Sequence, residues 1–182
     1  MTKIKYAVIG AGHGGKSMAA HLALMGFSVS LYNRTPGRIE VIKKRGGIEL
    51  LDGGDGIPHG FGKLARVTSD MKEAIDHVEV IMVVLPSSAH ADVAESMSPH
   101  LKDGQIVLLH PGRTCGALEF SKVLRDTGCT ADVTIAEAET FIYASRSDGP
   151  AQAHIFRVKE AVPLAALPST RTQIVLDAIS DA

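Results

Sequence analysis

Short apolar runs alternate with amphipathic stretches along almost the whole chain. Lys5-Tyr6-Ala7-Val8-Ile9 is apolar without a period-two alternation, the pattern of a strand buried on both faces of a parallel sheet. Residues 14–25 follow with Met18, Leu22 and Met25 on one helical face, Ala19, Ala20 and Ala23 beside it, and Gly26 where a helix ends. Residues 28–32 predict a second strand. Thr35-Pro36 predicts a helix start, with Thr35 as N-cap, and that helix runs to about Arg45 before Gly46-Gly47. Residues 47–51 and 65–68 read as strands. The glycines at 53, 54, 56, 60 and 62 predict a mobile loop between them.

The alternation then becomes regular. It predicts a helix over 70–77 capped by Asp70, a strand over 80–85, a helix over 89–97, a strand over 105–109 and a helix over 116–127. Residues 133–136, 141–145 and 153–158 read as three further strands, and 162–167 is apolar with an ambiguous period. Residues 170–179 predict a last helix. Strands alternating with helices imply parallel βαβ units, hence an α/β fold with a doubly wound, mostly parallel sheet. In the last helix Ile174, Val175, Leu176 and Ile179 include an apolar stripe with nothing later in the chain to cover it. That stripe predicts fraying or burial against a second copy, a homodimer.

Composition narrows the picture. Hydrophobic residues at 45% against 21% charged residues place the chain among folded globular proteins, and 182 residues suffice for one well-filled core. A net charge of −1 argues against a nucleic-acid partner. The 2 cysteines, Cys115 and Cys129, are too few for a disulfide framework or a zinc knuckle and read as small reduced hydrophobes. No apolar run approaches the roughly 20 residues of a membrane span, and a strand begins too early for a signal peptide. The expectation is a cytoplasmic protein with no membrane partner. Asp52, Asp55 and His59 carry metal-ligating groups, but turn chemistry accounts for Asp-Gly pairs, and no metal is expected.

The chemistry begins at Gly10-Ala11-Gly12-His13-Gly14-Gly15, a G-x-G-x-x-G run that follows a buried strand and opens a helix. Gly10 permits the tight turn, Gly12 leaves room for a pyrophosphate, and Gly15 lets the helix approach the sheet. The free N–H groups and positive end of that helix then face the anion. The implied cofactor is NAD or NADP. A methyltransferase would want an acid at the end of the second strand, and that strand ends in Tyr32-Asn33-Arg34-Thr35. An NAD site places Asp or Glu there for the ribose 2′-OH. Asn33 does not repel a 2′-phosphate, and Arg34 suits one, with Arg38 a helical turn beyond. NADP is therefore preferred over NAD.

Further cofactor contacts are expected where other strands end, because ligands of doubly wound sheets lie beyond the strands' carboxyl ends. Leu85, Pro86 and Ser87 end one strand, with Ser87 or Ser88 also a candidate helix cap. Pro111 and Gly112 follow another, next to His110. Glu137 and Arg146 are candidates for the same cleft, or for surface ion pairs.

These stretches taken together resemble the amino-terminal domain of the opine dehydrogenases, the octopine and nopaline dehydrogenase group. The resemblance rests on Gly10 to Gly15, on Val83-Val84-Leu85-Pro86 with His90, and on the run from Pro111 to Phe120. It continues through Glu137, Arg146, Val158-Lys159 and Leu167-Pro168. It implies an oxidoreductase that condenses an amino acid with an α-keto acid and reduces the imine with NADH or NADPH. It also implies that residues 1–168 form the cofactor domain. Residues 169–182 would then begin a connection toward a helical carboxyl-terminal domain that these residues do not include. The catalytic His and its carboxylate partner of such enzymes belong to that domain, so no catalytic residue is assigned and this chain alone is expected to be inactive. The alternatives are a domain of a ketopantoate reductase or glycerol-3-phosphate dehydrogenase-like enzyme, and a stand-alone module that senses NAD(P).

Overall fold

The computed structural model describes residues 3–54 and 56–182. Its centre is a seven-stranded sheet assembled from β1 (Lys5–Ile9), β2 (Ser28–Tyr32), β5 (Arg66–Thr68), β6 (Val80–Val83), β7 (Ile106–Leu109), β8 (Thr134–Ala138) and β11 (Leu164–Leu167), in the order β11-β8-β7-β6-β1-β2-β5. All neighbours pair in parallel except β11, which runs antiparallel to β8 at the edge. The central strands β1, β6 and β7 are almost wholly apolar because both faces are covered. On β1, Tyr6 and Val8 enter one core while Ala7 and Ile9 enter the other. Helices α3 (Met71–Ile75), α4 (His90–Met97) and α5 (Gly116–Asp126) supply the second of these cores through Ala74, Ala94 and Phe120. Helices α1 (His13–Leu24), α2 (Glu40–Arg45) and α6 (Thr172–Ile179) supply the first through Met18, Ile42 and Val175. Helices on both faces of a mostly parallel sheet make this the doubly wound Rossmann arrangement expected from the sequence.

The fold departs from that expectation on the α1 side. Strands β3 (Gly47–Leu51), β4 (Gly60–Lys63), β9 (Tyr143–Gly149) and β10 (Gln152–Val158) form a separate sheet in the order β4-β3-β10-β9, which packs over α1. The late strands β9 and β10 thus do not extend the parallel sheet. Helix α1 lies between two sheets, and Gly15, Lys16, Ser17, Met18, Ala19, Ala20 and Leu22 are all buried. Small residues on several faces, rather than one apolar stripe, fit a helix covered on both sides.

Two of the glycines read as a mobile loop, Gly53 and Gly62, serve close packing, while Gly54, Gly56 and Gly60 hold left-handed backbone in open space. A Cβ on Gly62 would lie 2.7 Å from the Ala20 carbonyl oxygen, so its absence lets β4 rest on α1. A Cβ on Gly53 would lie 1.8 Å from the Ile155 carbonyl oxygen of β10. Of the metal-ligand types near this segment, Asp55 lies outside the described residues, and Asp52 accepts the Gly54 N–H in a local turn. One helix start also differs. Residues Pro36–Arg38 form a single 3-10 turn before α2, and the Thr35 side chain makes no capping bond. Asp70 does cap α3, accepting the Glu73 N–H at 2.9 Å. Among the described residues no helix is long and apolar enough to cross a membrane.

Helix α6 docks onto the domain. Val175 is fully buried, and the Tyr6 hydroxyl donates to the Ala178 carbonyl at 3.3 Å. Ile174 and Leu176 of the same helix remain exposed.

Candidate functional site

The glycine turn leaves β1 at the sheet's carboxyl rim. Gly10 has φ +111°, and a Cβ there would meet the Val84 carbonyl oxygen at 2.5 Å, so glycine is required by both conformation and space. A Cβ on Gly15 would lie 1.8 Å from the Gly10 carbonyl oxygen, which is how closely α1 approaches the turn. Gly12 differs, because a Cβ there would meet nothing within 4 Å. It stands exposed at the N-cap of α1, where no side chain caps the helix, so the first N–H groups remain available. An open, uncapped helix start beside a close-packed strand end fits a dinucleotide pyrophosphate. His13, at the first helical position, accepts the Ser147 N–H through Nδ1 at 2.9 Å, so β9 fixes its ring.

Residues 10–17 also spell G-x-x-x-x-G-K-S, the spacing of a P-loop. The geometry excludes that use as the chain stands. Lys16 is buried and its Nζ donates to Ser147 Oγ and the Gly149 carbonyl, each at 2.9 Å. Burial first, and the nearby Arg38 guanidinium second, hold its pKa below the ordinary lysine value. Lys16 therefore ties the β9–β10 hairpin to α1.

The second strand ends beside the turn in a cavity of about 260 Å³ whose walls include Tyr32, Asn33, Arg34, Arg38, Leu85 and Asp92. Asn33 is engaged locally: its Oδ1 accepts the Ala11 N–H at 3.2 Å and its Nδ2 donates to the Thr35 carbonyl at 3.1 Å. It thus holds the glycine turn to the end of β2. Arg34 extends over the cavity and pairs with Asp92 of α4, Nη1 to Oδ2 at 3.3 Å. Size, position next to the turn and the pair of arginines fit the adenosine end of a dinucleotide. Thr35 lines the same cavity, and it does so without acting as the cap assigned to it.

Along the rim, Leu85 faces this cavity, while Pro86, Ser87 and Ser88 are exposed. Neither serine caps α4, since residues Ser87–Ala89 form a 3-10 turn without a side-chain capping bond. The loop after β7 is packed more tightly. Pro111 is half-buried and Gly112 buried, and a Cβ on Gly112 would strike the Glu137 side chain at 2.2 Å. Glu137 Oε2 accepts the Ala117 N–H at 2.7 Å and so caps α5, a structural duty. Arg113 and Cys115 hold left-handed backbone, φ +61° and +63°, which non-glycine residues adopt mostly where surroundings force it. Arg146 is exposed on β9 of the second sheet, so it and Glu137 lie on different sheets.

His110 is the unusual group at this rim. It is buried, its ring meets Phe141 edge-on at 6.4 Å, and neither ring nitrogen has a hydrogen-bond partner among the described residues. Burial pushes its pKa down to about 4, so it is a neutral imidazole at pH 7. A buried polar group left without a partner costs roughly 1–3 kcal/mol, and His90, also buried, likewise has no partner for either ring nitrogen among the described residues. Phe141, Ser147 and Asp92 carry no motif that singles them out in the sequence, and the G-x-x-x-x-G-K-S spacing that marks Lys16 points to a phosphate rather than to the partners it has here. Phe141 packs on Gly14, where a Cβ would come within 2.8 Å of its ring, and the other three act through partners distant in the chain. Among the described residues no group of three or more His, Cys, Asp or Glu side chains is arranged to hold a metal.

Comparison with known proteins agrees with this geometry. Residues 5–116 match the family model of the NAD binding domain of 6-phosphogluconate dehydrogenase. The opine dehydrogenase of Arthrobacter sp. (strain 1C) is 37% identical over 174 residues, 96% of this chain and 47% of that protein. Octopine dehydrogenase solved with NADH and L-arginine superposes with a TM-score of 0.78 at 19% identity, covering 90% of this chain and 42% of that one. Yersinopine dehydrogenase solved with NADP+ superposes with a TM-score of 0.78 at 16% identity, covering 98% of this chain and 46% of that one. The chain spans about half the length of the curated relatives that it matches over nearly its whole extent.

Proposed function

Because the chain belongs to the family of NAD-binding domains described for 6-phosphogluconate dehydrogenase, we propose that it is the NAD(P)-binding half of an opine dehydrogenase-like oxidoreductase. The observation that carries the reading is the glycine turn, whose Gly12 opens onto the uncapped start of α1 while Gly10 and Gly15 are locked into the sheet. The 37% identity to an opine dehydrogenase over nearly the whole chain favours that group among dehydrogenases.

In this reading Gly10 to Gly15 bind the pyrophosphate through backbone N–H groups. The cavity of Asn33, Arg34 and Thr35 takes the adenosine, with NADP preferred over NAD because Arg34 and Arg38 offer donors to a 2′-phosphate. Leu85, Pro86, Ser87, Pro111 and Gly112 carry the rim toward the nicotinamide, and His110 stands behind it. A reduced nicotinamide bound there supplies a hydride to the imine formed from an amino acid and an α-keto acid. The protein's own part is to exclude water and orient the ring. Phe141 and the neutral, buried His110 do this without adding a charge at the site of transfer. In this reading residues 1–168 form the cofactor domain, α6 packs onto its first core through Val175, and the proton donor comes from a domain outside these residues. No residue of this chain is assigned that role.

Fluorescence titration of NADPH and NADH against the wild type and Gly12→Val tests the site. The added side chain enters open space, so the thermal transition should stay within about 0.5 kcal/mol, as for surface substitutions. Affinity for both cofactors should fall more than about tenfold, because the side chain occupies the volume the pyrophosphate needs. Equal affinities in the two proteins would remove the glycine turn from the site.

A further inference from the structure

Resting on the reading of the 260 Å³ cavity as the adenosine end of an NAD(P) site, we propose that Asp92 sets the cofactor selectivity of this protein. The acid that would read a ribose 2′-OH from the end of β2 is replaced by Asn33, and a carboxylate stands on the opposite wall instead, on the first turn of α4. Among the described residues lining the cavity, Asp92 is the acidic one, and Arg34 and Arg38 are the cationic ones. Asp92 Oδ2 lies 3.3 Å from Arg34 Nη1, so the two residues bridge the cavity mouth. The position of Asp92 is fixed by the sheet rather than by a loop, because its neighbour Val93 is buried in the core under α4.

The consequence follows from charge. A nucleotide without a 2′-phosphate leaves the Arg34–Asp92 pair in place, and its ribose hydroxyl can donate to the same carboxylate. A 2′-phosphate must take Arg34 from Asp92 and then sits beside an unpaired negative charge. Both side chains are largely exposed, 81% and 69%, so the pair exchanges readily and its effect is graded rather than absolute. Asp92 therefore lowers NADPH affinity while sparing NADH, and brings a site that two arginines would bias toward NADP closer to accepting either cofactor.

The test compares wild type, Asp92→Asn, Arg34→Ala and the double variant, with dissociation constants for NADPH and NADH from fluorescence, and for 2′-AMP and 5′-AMP from calorimetry. Asp92→Asn should raise the NADPH-to-NADH preference about fivefold, the scale of an exposed charge pair, and tighten 2′-AMP but not 5′-AMP. On the Arg34→Ala background the same change should move the preference less than about twofold, since the competition for the guanidinium is gone. Melting temperatures should match, because both side chains are exposed. A wild type that binds neither dinucleotide refutes the cofactor reading itself. A wild type that binds both, with a preference unmoved by Asp92→Asn or with both cofactors weakened alike, refutes the role of Asp92 and leaves the cofactor reading standing.

Discussion

At the end of the rim formed by β1, β7 and β8 the site consists of backbone and buried rings; at the β2 end it consists of exposed, charged side chains. Gly10, Gly15 and Gly112 are each fixed by an atom less than 3 Å from where a Cβ would stand, and His110 is buried with no hydrogen-bond partner among the described residues. Arg34 and Asp92 meet in solvent. The difference is one of consequences. A change at the buried end alters the fold before it alters binding, because interiors are close-packed and poor at absorbing volume or charge. A change at the open end alters which nucleotide binds and leaves the fold alone, because water screens and replaces what is lost. Recognition of what all dinucleotides share is thus built into the backbone, and the distinction between dinucleotides is left to side chains that can be exchanged.

Three experiments press on that contrast. The largest effect is expected for Gly15→Ala, whose methyl group meets the Gly10 carbonyl oxygen at 1.8 Å. The obstacle is backbone of a central strand end, so the cost should exceed the roughly 1–3 kcal/mol typical of overpacking, a large share of a domain's total stability. Circular dichroism with urea denaturation should show loss of the cooperative transition or a much lower midpoint; a melting curve like the wild type's would show that the turn is more yielding than its contacts imply. Next comes acid. His110 titrates near 4 when folded and near 6.5 when unfolded, so between those values the unfolded chain binds the extra proton. Stability is full above pH 6.5 and falls as the pH drops toward 4, by about 3 kcal/mol from this residue. His21 and His90, whose pKa values burial also lowers, add to the same slope. Urea midpoints measured from pH 7.5 to 4.5 should fall steeply for the wild type and less steeply for His110→Phe. Parallel profiles would place His110 in a more polar setting than its burial indicates.

The smallest effect belongs to the open end. Asn33→Asp keeps an acceptor for the Ala11 N–H but sets a carboxylate against the Thr35 carbonyl, where the amide now donates. Stability should change by no more than about 1 kcal/mol, the net worth of one hydrogen bond. The NADPH-to-NADH preference should drop about tenfold through repulsion of a 2′-phosphate. A variant that loses folding instead would move Asn33 to the structural side of the contrast.

How much of this was legible in the chain varies with the length scale of the cause. The strand at Lys5–Ile9, the glycine turn and the arginine after β2 were readable because each rests on neighbours in sequence. The second sheet was not. Glycines 53 and 62 carry a flexible composition, and only the arrival of β10 and α1 shows that they make room for backbone. Thr35 and Ser87 have the composition of caps, yet Thr35 precedes and Ser87 begins a 3-10 turn with no side-chain capping bond, a local conformation that packing decides.

The sequence by itself determined the alternation of strands and helices that builds the parallel sheet, the place of the pyrophosphate turn and the absence of an acid at position 33, since apolar period, turn geometry and residue identity are local properties. Only the tertiary structure decided that α1 is roofed by a second sheet and that Lys16 is spent on Ser147 instead of a phosphate. The same holds for the buried ring of His110, with no hydrogen-bond partner among the described residues, and for Asp92, which faces Arg34 from across the sheet. Each of these joins residues dozens of positions apart, and no local pattern constrains such a meeting; it is fixed when burying both faces of one parallel sheet brings the ends of its strands onto a common rim.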